Sequence, residues 1–232
     1  MLDFLCPNVQ TEVAFPADGP KSLPTAIQLT GYDGVLWTGS ALSVTENIPS
    51  VTDQLDFAET VFESGTPIYG SCWGLQIAVT VAGGEIKRGE NGLEFGIAKE
   101  IMLTEAATDG PFFPKRNSNY SALCIHFDEV VKIPENGVVL AYNTHSKVQA
   151  LTFDYKKSSF FGVQYHPEFK ASDLAKIATL LSKKLIQNDY FSSVTEANKF
   201  ISQFSDVKSL PQEIVNYRIH TQEITAWLEH IE

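Results

Sequence analysis

Short continuous apolar runs alternate, in the first part of the chain, with stretches in which apolar residues recur every three or four positions, the spacing of a helix with one buried face. Gly34-Val35-Leu36-Trp37-Thr38 predicts a short strand that ends in a loop at Gly39-Ser40. Over 51–64, the residues Val51, Leu55, Ala58, Val61 and Phe62 fall on one helical stripe, and Gly65 followed by Pro67 supplies the stop. Pro67-Ile68-Tyr69-Gly70 is too short for a helix and predicts a second strand. Residues 73–82 return to helical spacing, and Gly83-Gly84 ends that helix in the left-handed conformation that glycine enters without strain. Cys72 therefore falls at the turn between a strand and a helix.

Beyond that helix the period becomes two, as in Ile97, Lys99, Ile101 and Leu103, and further strand-like runs follow at 138–141, 148–153 and 160–165. Turn residues such as Glu135-Asn136-Gly137 and Lys156-Lys157-Ser158-Ser159 separate them, so the middle of the chain extends the sheet. Residues 172–188 are helical again, with Ser172 as the expected N-cap ahead of Leu174, Ile177, Leu180, Leu181 and Leu185. The tail, 193–232, predicts more amphipathic helices, broken near Ser209-Leu210-Pro211. Such a tail covers a sheet edge or packs on its own domain, or else it offers polar faces to a partner subunit. Alternating strands and helices predict an α/β fold with helices on both faces of the sheet, organised as a main domain over 1–190 and a helical extension over 191–232.

Composition narrows the function classes. With 232 residues, 44% of them hydrophobic, the chain closes one sizeable core. A net charge of −11 repels phosphate backbones and anionic lipid surfaces, which argues against nucleic-acid and membrane partners. No apolar stretch approaches the roughly 20 residues a bilayer-spanning helix needs. The opening Met-Leu-Asp-Phe-Leu-Cys-Pro lacks the basic region and long apolar run of a secretory signal. Cys6, Cys72 and Cys124 are an odd number without paired spacing, which points to a reducing compartment and a cytoplasmic location.

Candidate chemistry gathers in two places. Gly70-Ser71-Cys72-Trp73-Gly74-Leu75-Gln76 sets a cysteine between glycines at a strand-to-helix turn, a cysteine version of the nucleophile elbow. A tight turn of this kind needs residues without Cβ on either side, and the positive end of the following helix favours thiolate. Phe161-Gly162-Val163-Gln164-Tyr165-His166-Pro167-Glu168-Phe169 offers the base: His166 leaves a β-run, and Glu168, two residues on, folds its carboxylate onto the imidazole to orient it. Both segments end strands, and a doubly wound sheet brings such ends together. Cys6 and Cys124 read as inert core thiols, and His145, His220 and His230 as surface residues. His126 and Asp128 lack a second pair at ligand spacing, so no metal site is expected.

These motifs, with Tyr32-Asp33-Gly34-Val35-Leu36-Trp37-Thr38-Gly39-Ser40, make residues 28–169 resemble the class I glutamine amidotransferases, the Cys-His-Glu family that includes the glutaminase domain of GMP synthase. The resemblance implies a flavodoxin-like, mostly parallel sheet with helices on both faces, no cofactor, and a reaction turning glutamine into glutamate and ammonia. It implies that Cys72 attacks the carboxamide carbon, that His166 protonates the departing ammonia, and that water then hydrolyses a γ-glutamyl thioester. It places the oxyanion donors at the backbone N–H groups of Ser40 and Trp73, and substrate contacts at Gly39, Gln76, Phe127 and Asp128. Family members normally begin with an apolar strand that joins the centre of the sheet, whereas residues 1–5 here look like the helix that follows it. The family's attached synthase domain is not found within these residues, which leaves a glutaminase acting alone or one feeding ammonia to a separate synthase subunit. Two other readings stand beside the glutaminase: a γ-glutamyl peptide or amide hydrolase using the same triad, and a non-catalytic binding or regulatory module.

Overall fold

The computed structural model describes every residue except Lys115, Asp206 and Glu232, and for Val207 only the backbone. Its first helices, α1 (Leu2–Leu5) and α2 (Ala26–Leu29), precede strand β1 (Val35–Trp37), helix α3 (Pro49–Ser64), strand β2 (Ile68–Ser71) and helix α4 (Trp73–Val81). Then come β3 (Glu85–Arg88), β4 (Glu94–Leu103), α5 (Glu105–Thr108), β5 (Asn119–His126), β6 (Asp128–Lys132), β7 (Val138–Tyr142), β8 (Ala150–Tyr155) and β9 (Ser158–Val163). The chain closes with α6 (Ala171–Gln187), α7 (Val194–Gln203), α8 (Gln212–Val215), α9 (Tyr217–His220) and α10 (Gln222–Ile231).

Seven strands form one sheet in the order β1-β2-β9-β8-β7-β4-β5, while β3 and β6 make a separate antiparallel pair. The α/β fold is the one anticipated, but parallel pairing is confined to β1, β2 and β9. From β9 outward every pairing is antiparallel, so the sheet is mixed rather than mostly parallel. The difference follows from connection length: α3 and the long excursion after α4 are crossovers, whereas β8 and β9 are joined by a tight hairpin turn, which permits only antiparallel pairing.

Strand alternation sorts the core. Ile68 pairs with Phe160 and faces α3 and α4, where Val61, Phe62, Leu75 and Val79 complete a buried layer. One residue on, Tyr69 pairs with Phe161 and faces the opposite side, packing against Trp227 of α10. A third apolar cluster joins Phe95 of β4 and Leu123 of β5 to Leu174, Ala178 and Leu185 of α6 and to Phe204. The parallel half of the sheet is thereby sandwiched between helices, which fixes the direction in which the ends of β2 and β9 point.

Two local expectations are corrected. Ser172 is not the N-cap of α6: the helix starts at Ala171, which is buried, so Ser172 already lies in the first turn and Lys170 is the N-cap, its own N–H donating to Asp173 Oδ2 at 3.0 Å. His220, expected at the surface, is buried inside the tail, whereas His230 is exposed. No helix among the described residues is long and apolar enough to cross a membrane.

Candidate active site

β2 runs straight into α4 through one residue, Cys72, whose backbone has φ 48° and ψ −98°. A residue with a side chain adopts such a conformation only when its neighbours enforce it, at a cost on the order of 1–3 kcal/mol. Here both backbone groups are tied: the Cys72 N–H donates to the Val163 carbonyl at 2.8 Å, and the Cys72 carbonyl accepts from the Gln76 N–H at 3.1 Å. The glycines on either side allow the fit. A Cβ on Gly70 would stand 2.6 Å from the Gly74 backbone, and one on Gly74 would stand 2.5 Å from the Trp37 carbonyl oxygen. The first turn of α4 therefore lies directly on the strands, and the cysteine projects from the junction.

The opposing segment leaves β9 beside the elbow. The His166 N–H donates to the Leu123 carbonyl at 2.7 Å, and the imidazole lies flat on the Phe169 ring, with centroids 4.1 Å apart and planes 1° from parallel. His166 Nδ1 meets Glu168 Oε1 at 2.7 Å, and the same carboxylate oxygen accepts from Ser71 Oγ at 3.0 Å. The carboxylate is thus held from β2 as well as from its own loop. His166 Nε2 is buried and has no hydrogen-bond partner among the described residues, and the Cys72 thiol makes a long contact of 3.7 Å to the Ile125 carbonyl.

Electrostatics follow from this packing. Burial alone would push the His166 imidazole down, but the Glu168 carboxylate and the Cys72 sulfur outweigh it and raise the group to about 10. Burial would raise Glu168, yet the imidazolium and the bonds from His166 and Ser71 hold its carboxyl below the usual range. Imidazole and carboxylate therefore stabilise each other as a charged pair in a dry setting.

The remaining candidates lie around this pair. Gly39 abuts the imidazole, and Ser40 beside it is exposed, its hydroxyl accepting from the Leu42 N–H at 3.2 Å. Trp73 opens α4, where the first N–H groups of a helix lack intrahelical partners. Its indole is buried and donates to Gln54 Oε1 at 2.8 Å, so the side chain packs into the core. Gln76 is also buried, and its amide donates to the Asp128 carbonyl at 2.9 Å. The Phe127 carbonyl accepts from the Gly89 N–H at 2.9 Å, and the Asp128 carboxylate accepts from the Ser43 hydroxyl. Gln76 therefore holds the 127–128 corner from beneath, and the carbonyls of that corner are already occupied.

Several contributors were not singled out from the residues alone. Ser71 and Phe169 stand inside the quoted motifs, and strand alternation past Gly70 was the signal that Ser71 and Cys72 project differently. His126 makes a buried pair with Glu94, Nε2 to Oε2 at 2.8 Å, completed by Gln149 and Asn143 on the same carboxylate, and its Nδ1 lies 3.2 Å from the Asp128 carbonyl. Nothing local in the sequence links Glu94 to His126, because the pairing depends on the register of β4 against β5.

Comparison with known proteins agrees with this fold. Residues 9–187 match the model of the glutamine amidotransferase class-I family. The chain is 34% identical to a γ-glutamyl-L-1-hydroxyisopropylamide hydrolase of Pseudomonas sp., over 97% of this chain and 80% of that protein. It is 29% identical to the glutamine-hydrolysing GMP synthase of Wolinella succinogenes over 64% of this chain, but spans only 27% of that larger enzyme. In three dimensions it is similar to a glutamine amidotransferase of Thermotoga maritima, with a TM-score of 0.68 at 18% identity over 93% of this chain and 83% of the other. The elbow cysteine, the buried imidazole and the sheet that presents them thus stand in a chain that belongs to the class I glutamine amidotransferases, a family of cysteine-dependent hydrolases and amidotransferases.

Proposed function

We propose that the protein hydrolyses γ-glutamyl amides, with Cys72 as nucleophile, His166 as general acid and base, and Glu168 as the group that orients the imidazole. The sulfur attacks the γ-carbonyl carbon and the C=O π electrons move to oxygen. The backbone N–H groups of Trp73 and Ser40 are the donors proposed for that oxyanion. Collapse of the adduct breaks the C–N bond while the imidazolium passes its proton to the departing nitrogen. The resulting γ-glutamyl thioester is cleaved by a water molecule whose proton returns to His166, giving glutamate and the restored cysteine. An imidazole raised to about 10 holds its proton at neutral pH, as a group that protonates an amine must.

The observation that carries the choice of amide is the extent of the similarity: the γ-glutamyl-L-1-hydroxyisopropylamide hydrolase aligns over nearly the whole chain and most of its own length. A second reading rests on the GMP synthase match, which covers the glutamine-hydrolysing part of a longer enzyme. Under it the leaving group is ammonia and a separate synthase subunit receives it. Gly39, Gln76, Phe127 and Asp128 surround the substrate in both readings.

A panel of L-glutamine, γ-glutamyl ethylamide, γ-glutamyl isopropylamide and γ-glutamylglycine, scored by glutamate release, separates them. The expected result is a kcat/KM for the alkylamides at least tenfold above that for glutamine, with all turnover abolished in Cys72→Ala. Preference for glutamine would instead support the second reading, and turnover by Cys72→Ala would remove both.

A further inference from the structure

We infer that the C-terminal helices form a clamp that positions the triad loop, with Tyr217, His220 and Glu223 as its three positioning residues. This rests on the proposed roles of His166 and Glu168, and it lies outside the residues 9–187 that match the family model.

The three side chains are spaced by three along α9, Thr221 and α10, so they line one face, and that face meets the loop carrying the imidazole and its carboxylate. The Tyr217 hydroxyl donates to the Glu168 carbonyl at 3.2 Å. His220 Nε2 donates to the His166 carbonyl at 3.2 Å. Glu223 accepts from the hydroxyl of Tyr165, the residue immediately before His166, and Tyr165 in turn shares a 2.9 Å hydrogen bond with the Tyr120 hydroxyl. One face of the tail thus grips residues 165, 166 and 168.

These donors reach a loop that has left the sheet. Beyond Val163 the strand ends: the His166 carbonyl accepts from the Phe169 N–H at 3.2 Å as well as from His220, and the Glu168 carbonyl accepts from Tyr217, so the tail supplies side-chain donors to a buried loop whose carbonyls are costly to leave unpaired. Charge is balanced as well. Glu223 is wholly buried but pairs with Arg116, so it fixes Tyr165 without placing a bare negative charge beneath the triad. His220 is likewise buried and, with burial favouring the uncharged ring, it acts as a neutral donor. The two carbonyls held by Tyr217 and His220 belong to the base and its orienter, so slackness there moves the imidazole relative to Cys72. A misplacement of about 1 Å at a reacting group costs on the order of a hundredfold in rate.

The test uses the full chain with γ-glutamyl-p-nitroanilide as probe. Tyr217→Phe removes only a hydroxyl, since the ring stays packed against Phe4 at 5.5 Å. It is expected to lower kcat about tenfold with KM within twofold of wild type and Tm little changed. His220→Leu is expected to act the same way, and His220→Gln, which keeps an N–H donor, to restore most of the loss. Folded Tyr217→Phe protein with wild-type kcat, or losses confined to Tm, would overturn the clamp. If His220→Leu does not fold, the kcat of Tyr217→Phe and of His220→Gln still decides. Cys72→Ala and His166→Ala serve as references: activity in either condemns the triad reading itself, whereas inert references beside fully active tail variants condemn only the clamp.

Discussion

A Cβ placed on Gly39 would stand 2.6 Å from Cε1 of His166. An imidazole at the end of a free side chain would simply swing away. This one is held by Glu168 at Nδ1 and by the Phe169 ring against its face, so it yields only by losing one of those contacts. Gly39→Ala is therefore predicted to reduce kcat by ten- to a hundredfold, on the order of 1.4–2.7 kcal/mol of transition-state stabilisation, while the sheet stays intact. Steady-state kinetics with thermal melting decide the matter: an alanine variant with wild-type kcat would show that the ring has room the geometry denies it.

The proton on His166 sets a pH profile. With the imidazole raised to about 10, the alkaline limb of kcat/KM should fall near that value rather than near the ordinary 6.5. The sign for stability is the same. A value raised on folding gives a contribution that is complete below 6.5 and lost as pH climbs through about 10. Glu168, held low, contributes above the ordinary carboxylate range and loses its contribution as pH falls through its depressed value. Because the Cys72 sulfur is one source of the rise, Cys72→Ala should shift the His166 imidazole downward in an NMR titration. An unchanged titration in that variant would mean the two groups are not coupled.

Ser71 is the second holder of the orienting carboxylate. Its hydroxyl and His166 Nδ1 converge on the same Glu168 oxygen, so removing it leaves the carboxylate one tether short. A hydrogen bond to a charged group contributes about 1.5–3 kcal/mol, and part of that should appear in the rate. Ser71→Ala is predicted to lower kcat about tenfold, with Ser71→Thr retaining more. Equal rates for Ser71→Ala and wild type would assign the serine to packing alone.

How much of this was legible beforehand depends on the range of each interaction. The elbow is local: glycines, cysteine and helix start within seven residues, and the backbone at Cys72 has the strained geometry that pattern demands. The His166–Glu168 contact is equally local, two residues apart on one loop. Ser71 on Glu168, Glu94 on His126 and Tyr217 on the Glu168 carbonyl each join elements distant in the chain, and their meeting is decided by strand order and tail packing. The antiparallel half of the sheet was missed for a related reason. Strand period reveals which faces are buried but not which way a neighbour runs, and β3, β5 and β6 fall in stretches where no strand was anticipated.

Gln76 offers a test of the substrate end. Its amide and the His126 ring both approach the Asp128 carbonyl, which fixes the corner at 127–128. Gln76→Leu keeps the volume and removes the donor, leaving that carbonyl to the weaker His126 contact. The corner should loosen while the elbow, set by backbone bonds and glycines, keeps its shape. KM for γ-glutamyl isopropylamide is predicted to rise about tenfold, equal to roughly 1.4 kcal/mol, with kcat within threefold. A fall in kcat at constant KM would place Gln76 with the reacting atoms instead.

The Arg116–Glu223 pair predicts how the tail is anchored. Both side chains are almost fully buried; Arg116 Nε also donates to Glu223 at 3.2 Å, and its Nη1 donates to the Ile219 carbonyl at 2.9 Å. Removing one partner strands the other charge in a dry interior, which costs about 3–5 kcal/mol. Arg116→Met alone should therefore lower Tm by many degrees, and Glu223→Gln should do much the same while loosening Tyr165. Replacing both at once removes the stranded charge, so the double variant should recover stability relative to the sum of the singles, by an interaction energy of about 1–3 kcal/mol in a double-mutant cycle. Strict additivity of the two losses would mean that the guanidinium and the carboxylate do not depend on each other, and the tail would then be held by Ile224 and Trp227 against the sheet alone.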